Sequence, residues 1–267
     1  LIKQKKDEVD ALIKYGDTNF KVKLRLKGDV VDHLSGSQWS YRVKLKNNKS
    51  LFGMEKFSLQ TPKTRNYLGE WIFHKLLEYE DLPSLRYKLV NVYLNGKNLG
   101  IYSIEEHFDK ITVENNRYRE GPIFALDETR WWLDYSKPIK SLYGSRNEYE
   151  EDFITRPIKV FELGEIINDK TLNFQFAYGS KLLEKFLNDE IPISDVFEIN
   201  KLAKFLAIID LNGSGHSLHW NNMRLYLNPI TKKFIPIGFD SNGGRNIYSL
   251  SINNSSIFHE KVLLDKK

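Results

Sequence analysis

Cysteine is absent from the 267 residues, which excludes disulfides and thiolate metal sites and leaves the redox compartment open. No apolar run reaches the roughly 18 residues that a membrane-spanning helix needs. No basic leader precedes an apolar stretch, so nothing reads as a signal peptide. The chain opens on Leu1 instead of methionine, so the missing leader carries no information about where the protein resides. The phosphate loop G-x-x-x-x-G-K-[ST], the nucleophile elbow G-x-S-x-G and the zinc motif H-E-x-x-H are all missing, which removes the signatures of P-loop enzymes, α/β-hydrolases and zincins. His216 and His219 have a spacing that could bind zinc on a helix. Gly213 and Gly215 predict a loop there, however, and no third ligand lies at a recognisable distance.

Charge of one sign is also missing as a block. The 40 Lys and Arg residues are scattered among 35 Asp and Glu, giving a net charge of +5. This balance weakly favours anionic partners such as nucleotides, acidic peptides or anionic polymers, and a plain solvated surface accounts for most of it. A nucleic-acid-binding module would need a clustered basic patch, which the sequence does not display, so nucleic acid is not an expected partner.

What is present is a globular composition, 41% hydrophobic and 13% aromatic, sufficient for a core in one large domain or two lobes. Phe20, Val22, Leu24 and Leu26 alternate with Lys21, Lys23, Arg25 and Lys27, the period-two pattern of a half-buried strand. Tyr41, Val43 and Leu45 repeat it, and Phe57 and Leu59 mark a shorter third strand. From Asn66 to Asp81 the period changes, with Leu68, Trp71, Ile72 and Leu76 predicted on one helical face before Pro83. LVNVYL and NLGIYSI then flank Asn95-Gly96, a two-residue hairpin signal. Strand, strand, strand, helix, strand, strand is the order of a kinase N-lobe, and it fits other α+β domains as well.

The middle of the chain, about 107–165, predicts insertion loops or short irregular elements around WWLDY and SRNEYEEDF. A helical pattern follows near Ala177 to Leu187. Asp195 and Glu198 form a capping box before Ile199, Leu202, Ala203, Leu206 and Ile209, and Asn212-Gly213 is the expected stop. SSIFHEKVLLDKK begins like a helix at the end of the chain.

The most informative stretch is HSLHWNNMRLYLNPITKKFIPIGFD, residues 216–240. It places a polar loop ending at Asn222, a strand in MRLYL, a turn in NPITKK, a return strand in FIPIGF, and Asp240 at that strand's end. An amide and a carboxylate brought together this way can hold a divalent cation against phosphate oxygens, which suggests phosphoryl transfer.

These residues also carry a family likeness. W-x-N-x-R-L-Y-x-N-P-x-T followed by P-I-G-F-D resembles the CotH family, the spore-coat-associated atypical protein kinases and their relatives. RLKG at 25–28, SYRVKL at 40–45, GMEKFSL at 53–59 and VYLNGKNLGIYSIEE at 92–106 agree in order. The resemblance implies an α+β, two-lobed, protein-kinase-like fold. Residues 1–106 would form the N-lobe, a mixed sheet with helix 66–81, and 107–267 a mainly helical C-lobe. Such lobes continue further past the metal-binding acid than the 27 residues present here, which predicts that part of the lobe is missing. The resemblance further implies ATP and magnesium as cofactors, a protein hydroxyl as acceptor, and a spore-coat, envelope or secreted location.

On this reading Asp240 and Asn222 hold the metal. Asn242 stands where the family commonly has a second acid, which removes one ligand charge. The position five residues before Asn222, where a kinase loop carries its proton-accepting aspartate, is Ser217, which cannot act as a base at neutral pH. His216 beside it offers an imidazole of suitable pKa, with a structural turn histidine as the alternative. Lys56, on the third strand before the helix, is placed like the kinase lysine with Glu70 as its partner, and Arg42 and Lys44 compete for the phosphate role. Glu106 would hold the nucleotide or form a hinge salt bridge. Ser217 and Asn242 favour the rival reading, a non-catalytic pseudokinase-like scaffold of coat or envelope.

Overall fold

The computed structural model describes residues 7–28, 31–34, 36–127, 157–247, 250 and 261–262. WWLDY, SRNEYEEDF and all but two residues of the closing SSIFHEKVLLDKK lie outside the described residues. The fold is α+β, built on two antiparallel sheets.

The first sheet has six strands in the order β1-β2-β3-β4-β6-β5. They are β1 (Val9–Tyr15), β2 (Thr18–Leu26), β3 (Tyr41–Leu45), β4 (Lys56–Gln60), β5 (Tyr87–Leu94) and β6 (Lys97–Glu106). Every neighbouring pair is antiparallel, which corrects the expected mixed sheet. β1 carries no clean alternation and was not legible in the sequence. Alternation elsewhere works as expected: Val22, Val43 and Phe57 are buried in one apolar cluster with Met54 and Ile104. At the β5–β6 turn Asn95 (φ 50°) and Gly96 (φ 80°) both adopt positive φ, as a type I′ hairpin requires.

The crossover from β4 to β5 carries α1 (Gly69–Tyr79), shorter than the expected 66–81. Asn66 and Tyr67, with φ of 50° and 58°, form a left-handed bend that delays its start. The buried face also differs from expectation. Leu68, Trp71 and Ile72 are exposed, whereas Glu70, Phe73, His74 and Leu77 are buried. Apolar periodicity misplaced the face because the buried side contains two polar residues that belong to the site.

The second sheet has the order β10-β9-β7-β8. β7 (Ile123–Leu126) is buried along its whole length, so the stretch expected to be irregular supplies a core strand. β8 is Ile158–Val160, and β9 (Arg224–Asn228) with β10 (Lys233–Ile237) forms the hairpin expected from NPITKK. Around it lie α2 (Lys110–Asn115), α3 (Leu163–Asn168), α4 (Lys170–Leu187), α5 (Ile193–Val196) and α6 (Ile199–Leu211). The α6 N-terminus has no capping box. Asp195 lies in α5, and Glu198 Oε1 instead accepts from Asn228 Nδ2 (2.9 Å) and Thr231 Oγ1 (2.7 Å), tying the helix to the hairpin turn. The stop at Asn212-Gly213 is as expected, with Gly213 at φ 59°.

Phe73 and Leu77 of α1 pack into the large apolar cluster with Phe124, Phe205, Leu227 and Phe234, against the second sheet and α6. The helix therefore ties the two sheets together, and its N-terminal end is set beside the segment that leaves β10.

Candidate functional site

Asp240 leaves β10 in a left-handed conformation, φ 50°, and turns the chain sharply into Ser241-Asn242-Gly243-Gly244. Three elements fix this loop. From α1, Glu70 Oε2 accepts from Ser241 N (2.8 Å), Ser241 Oγ (2.7 Å) and Asn242 N (3.3 Å). From the bend before α1, Asn66 Nδ2 donates to Gly243 O at 2.7 Å. From the end of α6, Asn212 O accepts from Gly244 N at 2.7 Å. Gly69 lets the backbones approach, since a Cβ there would overlap the Gly243 carbonyl.

Glu70 is fully buried. Burial works to raise its pKa, and the His74 contact and the Arg65 charge outweigh it, so the carboxyl is held below its ordinary value. His74 Nδ1 accepts from Leu85 N at 3.2 Å, which places the ring proton on Nε2, 3.4 Å from Glu70 Oε1.

A chain of buried charges runs from this loop into the six-stranded sheet. Asp240 Oδ1 meets Arg65 Nη1 at 2.8 Å, Arg65 Nε lies 3.5 Å from Glu105 Oε1, and Glu105 Oε2 meets Lys27 Nζ at 2.6 Å. Lys27 also donates to Gln60 Oε1 at 2.7 Å. Burial pulls the Lys27 ammonium down to about 8, against the attraction of Glu105. Glu105 shifts the other way: burial would raise it, but Lys27 and Arg65 hold it well below the usual carboxylate range. Burial likewise opposes the Arg65 charge, and Asp240 and Glu105 overcome it, so the guanidinium stays ionised.

Neither Lys27, Arg65 nor Glu105 was singled out in the sequence. Lys27 and Glu105 lie within RLKG and IEE, and strand alternation puts Glu105 and Glu106 on opposite faces without saying which face carries the site. The structure turns Glu105 into the site and sends Glu106 to Arg86, whose backbone N–H donates to Glu106 Oε2 at 2.9 Å and whose guanidinium completes the pair. Of the two roles expected for Glu106, this is the salt bridge.

The expected Lys56–Glu70 pair does not form. Lys56 Nζ binds Glu162 Oε2 at 2.7 Å, while Glu70 serves the Asp240 loop. Arg42 contacts His107 Nδ1, and Lys44 is exposed on β3. Burial first, then Arg42 and Lys56, push the His107 pKa well below its ordinary value, so that ring is neutral.

On the polar loop, Ser217 is 2% exposed and its hydroxyl donates to Phe239 O at 2.8 Å. This position, where a kinase loop carries its proton-accepting aspartate, fastens the loop to the strand end just before Asp240. Asn222 is buried, and its Nδ2 donates to His216 O at 3.0 Å, leaving its carbonyl oxygen as the end that could take a cation. His216 is more open, and its Nε2 stands 3.8 Å from Asp240 Oδ2.

Among the described residues no group of three His, Cys, Asp or Glu side chains could hold a metal ion by itself. One carboxylate and one amide oxygen do suit magnesium, which keeps several waters and binds through one or two protein oxygens together with substrate phosphates. Ser58 Oγ and Gln60 Nε2, buried in the sheet beside Glu105, lack hydrogen-bond partners within the protein.

Fold and site together define an α+β protein whose two sheets meet at a buried network of alternating charges ending on a strand-end aspartate. The chain belongs to the CotH family, whose profile, described as CotH kinase protein, matches residues 24–262. No curated protein matches it. No helix among the described residues is long and apolar enough to cross a membrane.

Proposed function

We propose that the chain transfers a phosphoryl group from magnesium-bound ATP to a protein hydroxyl. The scaffold would be two kinase-like lobes, residues 1–106 and 107–267, meeting near Glu106. The observation that carries this reading is the continuous chain Asp240–Arg65–Glu105–Lys27, which sets one cation against the acid best placed to hold a metal and links it through Glu105 to a second. Family membership supports it.

Asp240 and the Asn222 carbonyl oxygen would hold magnesium, which when bound neutralises charge on the phosphate oxygens. Lys27 and Arg65, linked to Asp240 through the same chain of charges, would bind phosphate oxygens. Glu70 fixes the Asp240 loop, so the acid meets its ligand without first being ordered. His216 Nε2, on the open side of Asp240, would accept the proton of the acceptor hydroxyl as its oxygen bonds to the γ-phosphorus and the bond to ADP breaks. Because such a transition state is loose, positioning and electrostatics supply most of the acceleration, and the missing carboxylate base lowers the rate without abolishing it.

A magnesium-dependent thermal shift with ATP tests the binding step, since a ligand of the folded state raises the melting temperature with its occupancy. Wild type should shift and Asp240→Asn should not; equal shifts would remove Asp240 from the site. Transfer of γ-phosphate to a panel of protein acceptors tests the chemistry. The burial of Ser217 favours a second reading, a nucleotide-binding scaffold without turnover, which would show the shift and no transfer.

A further inference from the structure

Two rows of side chains cross the six-stranded sheet on the face opposite its apolar cluster. In one, Lys23 of β2 stands opposite Lys44 of β3, and Lys44 opposite Lys56 of β4. In the other, Arg25 stands opposite Arg42, Arg42 opposite Ser58, and Ser58 opposite Glu105 of β6. Directly opposed residues have Cβ atoms about 4.5–5.5 Å apart, and like charges so placed destabilise the sheet. The basic residues that look scattered along the sequence are thus gathered on one face by strand alternation and register.

Countercharge on this face is thin. Asp10 is shared by Lys23 (3.1 Å) and Lys46, Glu162 takes Lys56, and Glu105 is committed to Lys27 and Arg65. Lys44, exposed between two other lysines, and the exposed Lys21 have no carboxylate partner among the described residues. Burial first, and then Arg42, Lys56, Lys27 and Arg25 together, hold His107 below its ordinary pKa.

We infer that the outer part of this face, on β2 and β3, docks an acidic segment of a protein partner; identifying that partner with the phosphoryl acceptor rests on the function proposed above. A nucleotide held by Lys27 and Arg65 at the inner end leaves the outer rows on β2 and β3 uncovered. From β6 to β2 the face spans about 14 Å at ordinary strand spacing. Neither row contains an exposed aromatic on which a base could stack, which disfavours single-stranded nucleic acid. Carboxylates suit both the forked guanidinium of Arg25 and the lysine ammonium groups.

The test is fluorescence anisotropy of a labelled glutamate-rich peptide against the full chain, at low and high salt, with the magnesium–ATP thermal shift measured in parallel. Wild type should bind the peptide with an affinity that falls as salt rises. Lys21→Gln/Lys23→Gln on the outer strand should weaken it roughly five- to tenfold, as the loss of two exposed ion pairs implies, and leave the ATP shift unchanged. Lys44→Gln, read by peptide binding alone, should weaken it too and covers the case in which the double variant fails to fold. Peptide binding unaffected by these substitutions, or no tighter than that of a neutral control peptide, would overturn the inference, as would tighter binding of a single-stranded oligonucleotide through the same lysines. Peptide binding without any ATP shift would instead sink the phosphotransfer reading and leave the docking face standing.

Discussion

Arg65 connects the two halves of the site, bonding Asp240 on one side and approaching Glu105 on the other. It follows a Pro-Lys-Thr turn, outside any periodic pattern, so its role was not legible before its neighbours were in place. Lys27 gives the site a pH dependence whose sign can be worked out. Its pKa falls from 10.5 in the unfolded chain to about 8 in the fold. Between those values the unfolded chain holds a proton that the folded one has released, so this group makes stability rise with pH across that window. Binding goes the other way, because the cation offered to phosphate is lost above about pH 8. The magnesium–ATP shift should therefore shrink between roughly pH 7 and pH 9. A flat profile would remove Lys27 from the anion-binding set. At Ser217, alanine should cost about 1 kcal/mol for the lost bond to Phe239 O, read by urea denaturation. Ser217→Asp, which sequence logic offers as a restored base, should cost more, about 2 kcal/mol or above, because it buries a carboxylate against a carbonyl oxygen. It should bring no gain in turnover; faster transfer by this variant would reinstate the position as a proton acceptor.

Among the elements, α1 has the largest part in shaping the site. Its buried face combines Phe73 and Leu77, which anchor it, with Glu70 and His74, which hold the Asp240 loop. Gly69→Ala should force the helix and Gly243 apart. The expected result is a lower melting temperature and loss of the magnesium–ATP shift, even though alanine is the better helix former. A variant as stable as wild type with a full shift would show that the close approach is unimportant. Glu70→Gln keeps the shape and loses the charge that three donors share. It should cost about 1–3 kcal/mol of stability and weaken ATP binding more than a surface change of equal charge would. The helix itself was legible in the sequence, because its apolar spacing and Pro83 bound it. Its buried face was not, since the polar pair serving the site interrupts the pattern used to find it.

Over the whole molecule, the two sheets are held in register by a helix whose apolar side belongs to the core of the second. Phe73, fully buried and 6.2 Å from the Phe205 ring, sits at that junction. Phe73→Ala should cost about 3–5 kcal/mol in chemical denaturation. It should also weaken the magnesium–ATP shift, because Glu70 lies three residues away on the same helix; a stability loss with nucleotide binding intact would uncouple the core from the site.

The sequence by itself determined the α+β class, five of the six strands of the first sheet, the Asn95-Gly96 turn and the 224–237 hairpin, because alternation and turn chemistry are local properties of consecutive residues. It also placed Asn222 and Asp240 on a loop and a strand end of one hairpin, and its motifs pointed to the family that the profile match establishes. Only the tertiary structure decided which charges meet. Lys27, Arg65, Glu105 and Asp240 are separated by 38, 40 and 135 positions and converge through crossovers that no local pattern encodes. The same holds for Glu70, bound to a loop 171 residues away, and for the basic face of the sheet. Strand register, which depends on pairing between distant segments, converts dispersed lysines and arginines into one surface.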